Sequence, residues 1–211
     1  MKFTTLFFDL DDTLYPASTG LWHAIKERMN TYMRDRMGFD PAEIPSVREK
    51  YFRQYGTTLR GLQANHDINV EEFLAFVHDL PLSDYLTPDP TLRHILASLP
   101  ARKLIFTNAD SAHAKRVLAA LELHDVFESI VDVNRVAPYC KPMPESFRIA
   151  MEVAGETDPA RCVMIDDLPR TTRAAHDFGL FGALYGHAGL HSDADATFTD
   201  WAVLPALLNG R

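Results

Sequence analysis

Four short groups of residues along this 211-residue chain combine side-chain types that can do chemistry on a charged molecule. Asp9-Leu10-Asp11-Asp12-Thr13 follows an apolar, aromatic run, and Thr107-Asn108 and Asp166-Asp167 follow two others. Lys141-Pro142 lies in a loop between them. Several carboxylates brought together cannot all stay ionised without strong repulsion unless a hard divalent cation sits among them. Mg2+ is therefore the cofactor these residue types imply. Side chains two apart at a strand end face the same side, so Asp9 and Asp11 can reach one group from slightly different directions.

These groups act together only if the chain folds them to one place. Residues 3–8 form a short apolar run stopped by the acidic cluster, the pattern of a buried strand. Similar runs occur at 104–106, 130–131, 162–165 and 181–185, and helical apolar spacing occupies 112–123, 145–154 and 171–178. Strand then helix, repeated, predicts βαβ units and a doubly wound, Rossmann-like parallel sheet. Asp110 and Ser111 are candidate caps for one helix, and Gly155 ends another. In such a sheet the ligand crevice lies at the carboxyl ends of the strands, where the four groups fall.

Residues 16–86 read differently. They carry helical patterns at 22–37, 46–55 and 70–80 with Pro and Gly punctuation and no convincing strand. The expected division is an α/β core of residues 1–15 and 87–211 with an all-helical insertion at 16–86. A short strand at 197–198 and a helix over 201–208, with Pro205 near its start, are expected to close the chain.

Composition narrows the partners. Hydrophobic types make up 46% and charged types 24%, ordinary globular usage that argues against disordered and coiled-coil classes. Lys and Arg number 21 against 29 Asp and Glu, a net charge of −8 that repels phosphate backbones and anionic lipid. Nucleic acid and membrane are thus excluded as first expectations, whereas a small anion bound in a locally positive site is not. Cys140 and Cys162 form no CxxC, and the run before Asp9 is too short for a signal-peptide core or a membrane span. Reduced, buried thiols and a cytoplasmic location are expected. His187 and His191 are four apart, but Gly186 and Gly189 argue for a surface loop rather than a helical metal pair.

Taken in order, Asp9-Leu10-Asp11-Asp12-Thr13, Thr107-Asn108, Lys141-Pro142 and Asp166-Asp167 resemble the four motifs of the haloacid dehalogenase superfamily of phosphohydrolases. The resemblance implies that Asp9 is a nucleophile that forms an aspartyl-phosphate, and that Asp11 protonates the leaving oxygen and later activates water. It implies that Asp9, the Asp11 main-chain carbonyl and the pair Asp166 and Asp167 hold Mg2+, with Asp167 in direct contact and Asp166 further out. Asp9, Thr107, Asn108 and Lys141 would bind the phosphoryl group, offsetting the repulsion between carboxylate and phosphate. Asp12 is expected to serve local hydrogen bonding.

In this superfamily a helical insertion after the first motif forms a cap that selects the leaving group. The segment 54–62, with 11–15 and 81–82, looks like the pyrimidine 5′-nucleotidase branch, implying a nucleoside 5′-monophosphate as substrate. Tyr55, Thr58 and Arg60 are accordingly the expected substrate-binding residues. Arg60 would pair with a base edge or phosphate and Tyr55, Phe52 or Trp22 would offer a stacking face, although helical spacing favours cap core for Phe52 and Trp22. The alternatives are a phosphatase of another small metabolite such as a sugar phosphate or phosphoglycolate, a phosphomutase, a haloacid dehalogenase, and a catalytically silent binding module on the same fold. A dehalogenase has no need of Asp11 to protonate a departing halide.

Overall fold

The computed structural model describes residues 2–209. Six strands form a parallel sheet: β1 (Thr5–Phe8), β2 (Arg102–Phe106), β3 (Ser129–Val131), β4 (Cys162–Asp166), β5 (Phe181–Tyr185) and β6 (Ala196–Phe198). Their order is β3-β2-β1-β4-β5-β6. The chain therefore builds outward from β1 in one direction and then returns to build from β4 in the other. The crevice of such a sheet opens outside the strand ends at this switch, between β1 and β4, the strands that lead into Asp9 and Asp167.

Both faces of the sheet are apolar, which is why its inner strands read as continuous hydrophobic runs rather than alternating ones. Leu6, Phe8, Ile105, Val163 and Ile165 point to one face. There they share a core with α5 (Pro90–Ser98), α6 (Ser111–Ala120) and α9 (Leu204–Asn209) through Leu96, Val117 and Leu204. Phe7, Leu104, Phe106 and Met164 point to the other and meet Phe147 of α7 (Pro144–Ala154) and Ala175 of α8 (Pro169–Phe178). The expected doubly wound α/β core is the fold observed.

Between β1 and α5 lie α1 (Leu21–Asp35), α2 (Ile44–Tyr55), α3 (Thr58–Asn65) and α4 (Val70–His78). Helix α3 occupies residues between the expected helical stretches 46–55 and 70–80. Thr57 caps it by accepting the Arg60 N–H at 3.1 Å, and Gly61 lets it close onto α2, since a Cβ there would stand 2.2 Å from the Tyr51 ring. Helix α5 also escaped the spacing analysis, although Asp89 caps it and Pro90 opens it. Asp110 and Gly155 cap and end their helices as expected. Both cysteines are buried free thiols, and His187 and His191 lie outside regular structure. No helix among the described residues is long and apolar enough to cross a membrane.

Candidate active site

Register brings the predicted residues together. Phe8 pairs with Ile105 of β2 and with Ile165 of β4, so Asp9 stands level with Asp166 on one side and with Phe106, just before Thr107, on the other. The Asp9 N–H continues the ladder to the Ile165 carbonyl at 2.8 Å. Beyond it the chain turns at once, with Asp12 in the left-handed region at φ 60°, a conformation that Asp tolerates better than most residues. Thr13 comes back over the strand end. Its hydroxyl lies 3.4 Å from Asp9 Oδ2 and 3.2 Å from Asp167 Oδ1.

Lys141 reaches this point from the loop after β3. Its ammonium donates to Asp9 Oδ1 at 2.6 Å and to Asp166 Oδ2 at 2.7 Å, and the whole residue is only 2% exposed. Asn108 fixes the lysine backbone, because its side-chain amide accepts from Lys141 N–H at 2.9 Å and donates to Lys141 C=O at 3.0 Å. The predicted phosphate-binding role of Asn108 therefore has to come from its main chain, since its side chain is committed to holding Lys141. The Thr107 hydroxyl accepts the Ala109 N–H at 3.0 Å.

Asp9, Asp166 and Asp167 each offer an oxygen within 4.8 Å of the others. Against the single ammonium of Lys141 that is bonded to Asp9 and Asp166, three ionised carboxylates leave an excess of two negative charges. Burial, helped by the charges of Asp166 and Asp167, pushes the Asp9 carboxyl well above its ordinary value despite the ammonium beside it. Burial and the charge of Asp166 likewise push Asp167 up to about 7. Three hard oxygen donors grouped in this way fit the ligand preference of a divalent cation. Asp166 has both oxygens engaged, by Lys141 and by the Leu168 N–H at 2.9 Å, whereas Asp167 Oδ1 accepts from the Thr13 hydroxyl at 3.2 Å.

Asp11 faces a different environment. Its Oδ1 accepts from the Tyr15 hydroxyl at 2.6 Å and from His113 Nε2 at 3.0 Å. Burial alone would raise its carboxyl, but His113 and the Tyr15 hydrogen bond outweigh it and hold Asp11 below the usual carboxylate range. Tyr15 is a strand-end neighbour that the motif contained without showing its use. His113 is 102 positions away in sequence and gave no spacing signal.

A cavity of about 420 Å3 adjoins these groups. Asp9, Asp11, Thr107, Asn108, Lys141, Asp166 and Asp167 line its floor; Trp22, Met29, Phe52, Phe73 and Leu74 form an apolar wall. Lys26, Arg48 and Arg170 add positive charge, and the Arg170 guanidinium lies 3.4 Å from the centre of the Phe52 ring. Thr58 lines the cavity. Arg60 and Tyr55 do not, so their placement corrects the expectation. Arg60 is buried and donates to the Tyr139 carbonyl at 3.1 and 2.8 Å, to the Val133 carbonyl and to Gln63. Tyr55 packs against Tyr51, and its carbonyl faces the Cys140 thiol. The periodicity of α1 and α2 could not show that Trp22 and Phe52 line the cavity, because an apolar wall and an apolar core have the same signature.

Arg60→Ala is accordingly expected to cost about 2–3 kcal/mol in stability by stranding buried carbonyls, with the ranking of substrates unchanged. Thermal melting and a substrate panel check this; an altered ranking at wild-type stability would return Arg60 to the substrate.

Residues 3–179 match the model of the family described as haloacid dehalogenase-like hydrolase. The chain is 34% identical over 188 residues to phosphate metabolism protein 8 of Saccharomyces cerevisiae, covering 82% of this chain and 59% of that protein's length. Among solved structures, a predicted phosphoglycolate phosphatase from Haemophilus somnus superposes with a TM-score of 0.66 at 18% identity, covering 99% of both chains. The Bacillus subtilis protein YfnB, solved bound to magnesium, gives 0.63 at 16% identity over 99% of this chain and 100% of its own. At such identities the two structures speak for the fold alone.

Proposed function

This chain belongs to the haloacid dehalogenase-like hydrolases, and on that premise we propose that it is a Mg2+-dependent phosphomonoesterase that works through an aspartyl-phosphate on Asp9. The observation that carries the reading is the ammonium of Lys141 bridging Asp9 and Asp166 at the floor of a cavity whose other end is apolar. Asp9 is held where its Oδ2, with only the long contact to Thr13 upon it, can attack phosphorus, and Lys141 and the Thr107 hydroxyl steady the transferring oxygens. Asp11 gives a proton to the leaving oxygen as the P–O bond breaks, then takes one from the water that hydrolyses the Asp9 ester. Asp9, Asp167 and the Asp11 main-chain carbonyl would hold Mg2+, with Asp166 behind them. When bound, the ion supplies charge neutralisation for a carboxylate meeting a phosphate.

Residues 16–86 serve in this reading as the cap. The Trp22 and Phe52 rings and the cations Lys26, Arg48 and Arg170 suit a flat, polar-edged leaving group, which supports the reading of a nucleoside 5′-monophosphate as substrate and of a pyrimidine 5′-nucleotidase-like enzyme. The curated yeast relative's name refers to phosphate metabolism, in keeping with this chemistry. Phosphate release from p-nitrophenyl phosphate and from a panel of nucleoside, sugar and glycolate phosphates, with and without Mg2+, tests the reading. A protein inert toward every ester with Mg2+ present would make it a binding module instead.

The metal assignment has its own test. Because the folded Asp167 holds its proton up to about 7, the metal-free fold binds more protons than the unfolded chain and loses stability as pH rises from the ordinary carboxylate range toward that value. Mg2+ displaces the proton, so the rise in Tm it gives is expected to be larger at about pH 8 than at about pH 6. Equal rises at both would remove Asp167 from the ligand set.

A further inference from the structure

The proposed mechanism uses Asp11 but leaves unexplained why its carboxylate is gripped from one side. Oδ1 receives two donors, the Tyr15 hydroxyl at 2.6 Å and His113 Nε2 at 3.0 Å, from residues only 2% and 1% exposed. His113 Nδ1 is buried with no hydrogen-bond partner among the described residues. A proton there would be an orphaned buried donor, so the ring carries its hydrogen on Nε2 and donates it to Asp11. An oxygen that accepts two such bonds has no room for a proton of its own.

The imidazole is itself held firmly. Its ring stacks on that of His78 with centres 4.0 Å apart and planes 15° off parallel. His78 Nδ1 donates to Asp110 Oδ2 at 2.7 Å, and the other oxygen of Asp110 accepts the His113 N–H as the cap of α6. Arg116, one turn further along α6, donates to the carbonyls of His78 and Leu80 at 2.8 and 2.6 Å. The end of α4 and the start of α6 thus form one bonded unit that aims His113 at Asp11.

We propose, building on the phosphomonoesterase reading, that Tyr15 and His113 are positioning residues that occupy Asp11 Oδ1 and leave Oδ2 as the oxygen that transfers the proton. In the first half-reaction the Asp9–P bond forms, the P–O bond to the leaving group breaks, and the Oδ2 proton goes to the departing oxygen. In the second, water forms the new P–O bond, its proton goes to Oδ2, and the Asp9–P bond breaks. The two donors fix which oxygen of Asp11 carries the proton and the direction in which that proton leaves.

Such a role shows in the kind of ester affected. An alkoxide leaving group needs its proton, whereas p-nitrophenolate departs well without one. Tyr15→Phe and His113→Leu are expected to lower kcat/KM on the best alkyl phosphate of the panel by about 10- to 100-fold while changing kcat/KM on p-nitrophenyl phosphate by less than about threefold, since kcat/KM reads the first half-reaction and not the hydrolysis of the Asp9 ester that both substrates share. His113→Gln, whose amide can reach as Nε2 does, is expected to recover most of the loss. Equal losses on both esters, or none on either, overturn the proposal. If His113→Leu does not fold, Tyr15→Phe decides, since it removes one oxygen and keeps the ring. A wild type inert toward both esters would instead bring down the phosphatase reading itself.

Discussion

Asp9→Asn is expected to lower kcat by at least about 10^4-fold, to the floor of a phosphate-release assay, without unfolding the protein. The amide matches the carboxylate in shape, so the backbone bond to Ile165 remains and an amide oxygen can still accept from Lys141. What it lacks is a charged oxygen able to form an ester with phosphorus. The stability expected of this variant is the more telling half of the experiment. Asp9 belongs to a buried group of three carboxylates around one ammonium, and its own carboxyl is pushed upward by burial and by Asp166 and Asp167. Removing its charge relieves repulsion in the metal-free protein, so Tm without Mg2+ is expected to match or exceed the wild type near neutral pH. Activity within about tenfold of wild type would exclude Asp9 as the nucleophile.

The same physics explains what could be read from the chain before folding. The acidic pairs were legible because each follows a short, wholly apolar run, and a parallel sheet turns such runs into adjacent strands with their polar ends aligned. Phe8 beside Ile165 is that alignment, and it carries Asp9 to Asp166 with no further information needed. Lys141 was legible through its order among the motifs. Its double bond to Asp9 and Asp166 depends on a loop whose path Asn108 sets through a side chain 33 positions away. The surroundings of Asp11 were not legible, since His113 and His78 reach it from two helices by packing rather than by any spacing. Arg60 was misread for a related reason. A cation near a presumed pocket and a cation bracing two buried carbonyls look alike in sequence, and only the path of residues 133–139 separates them.

Lys141→Met should damage both activity and fold, and the two losses should part company when pH and Mg2+ are varied. The buried ammonium is 2.6 Å from Asp9 and 2.7 Å from Asp166, and those two charges hold its own proton more firmly than an ordinary lysine despite burial. Replacing it with an apolar chain of similar length keeps the packing and leaves the two carboxylates without their cation. Breaking a buried pair of this kind costs about 3–5 kcal/mol, or on the order of 10 °C in Tm for a chain of this size. Because the stranded carboxylates can escape by taking up protons, the loss in the metal-free protein should be greater at about pH 8 than at about pH 6. The rate should fall by about 10^2- to 10^3-fold, the scale of losing one preorganised charge beside a developing anion. Added Mg2+ should restore more of the stability than of the rate. Neutralising the carboxylates needs only positive charge nearby, whereas the ammonium occupies one fixed place against Asp9 and the transferring group. A fall in rate with an unchanged melting curve at both pH values would show that Lys141 does not hold the carboxylates together, and the electrostatic account of the site would have to be rebuilt from Thr13 and the main chain.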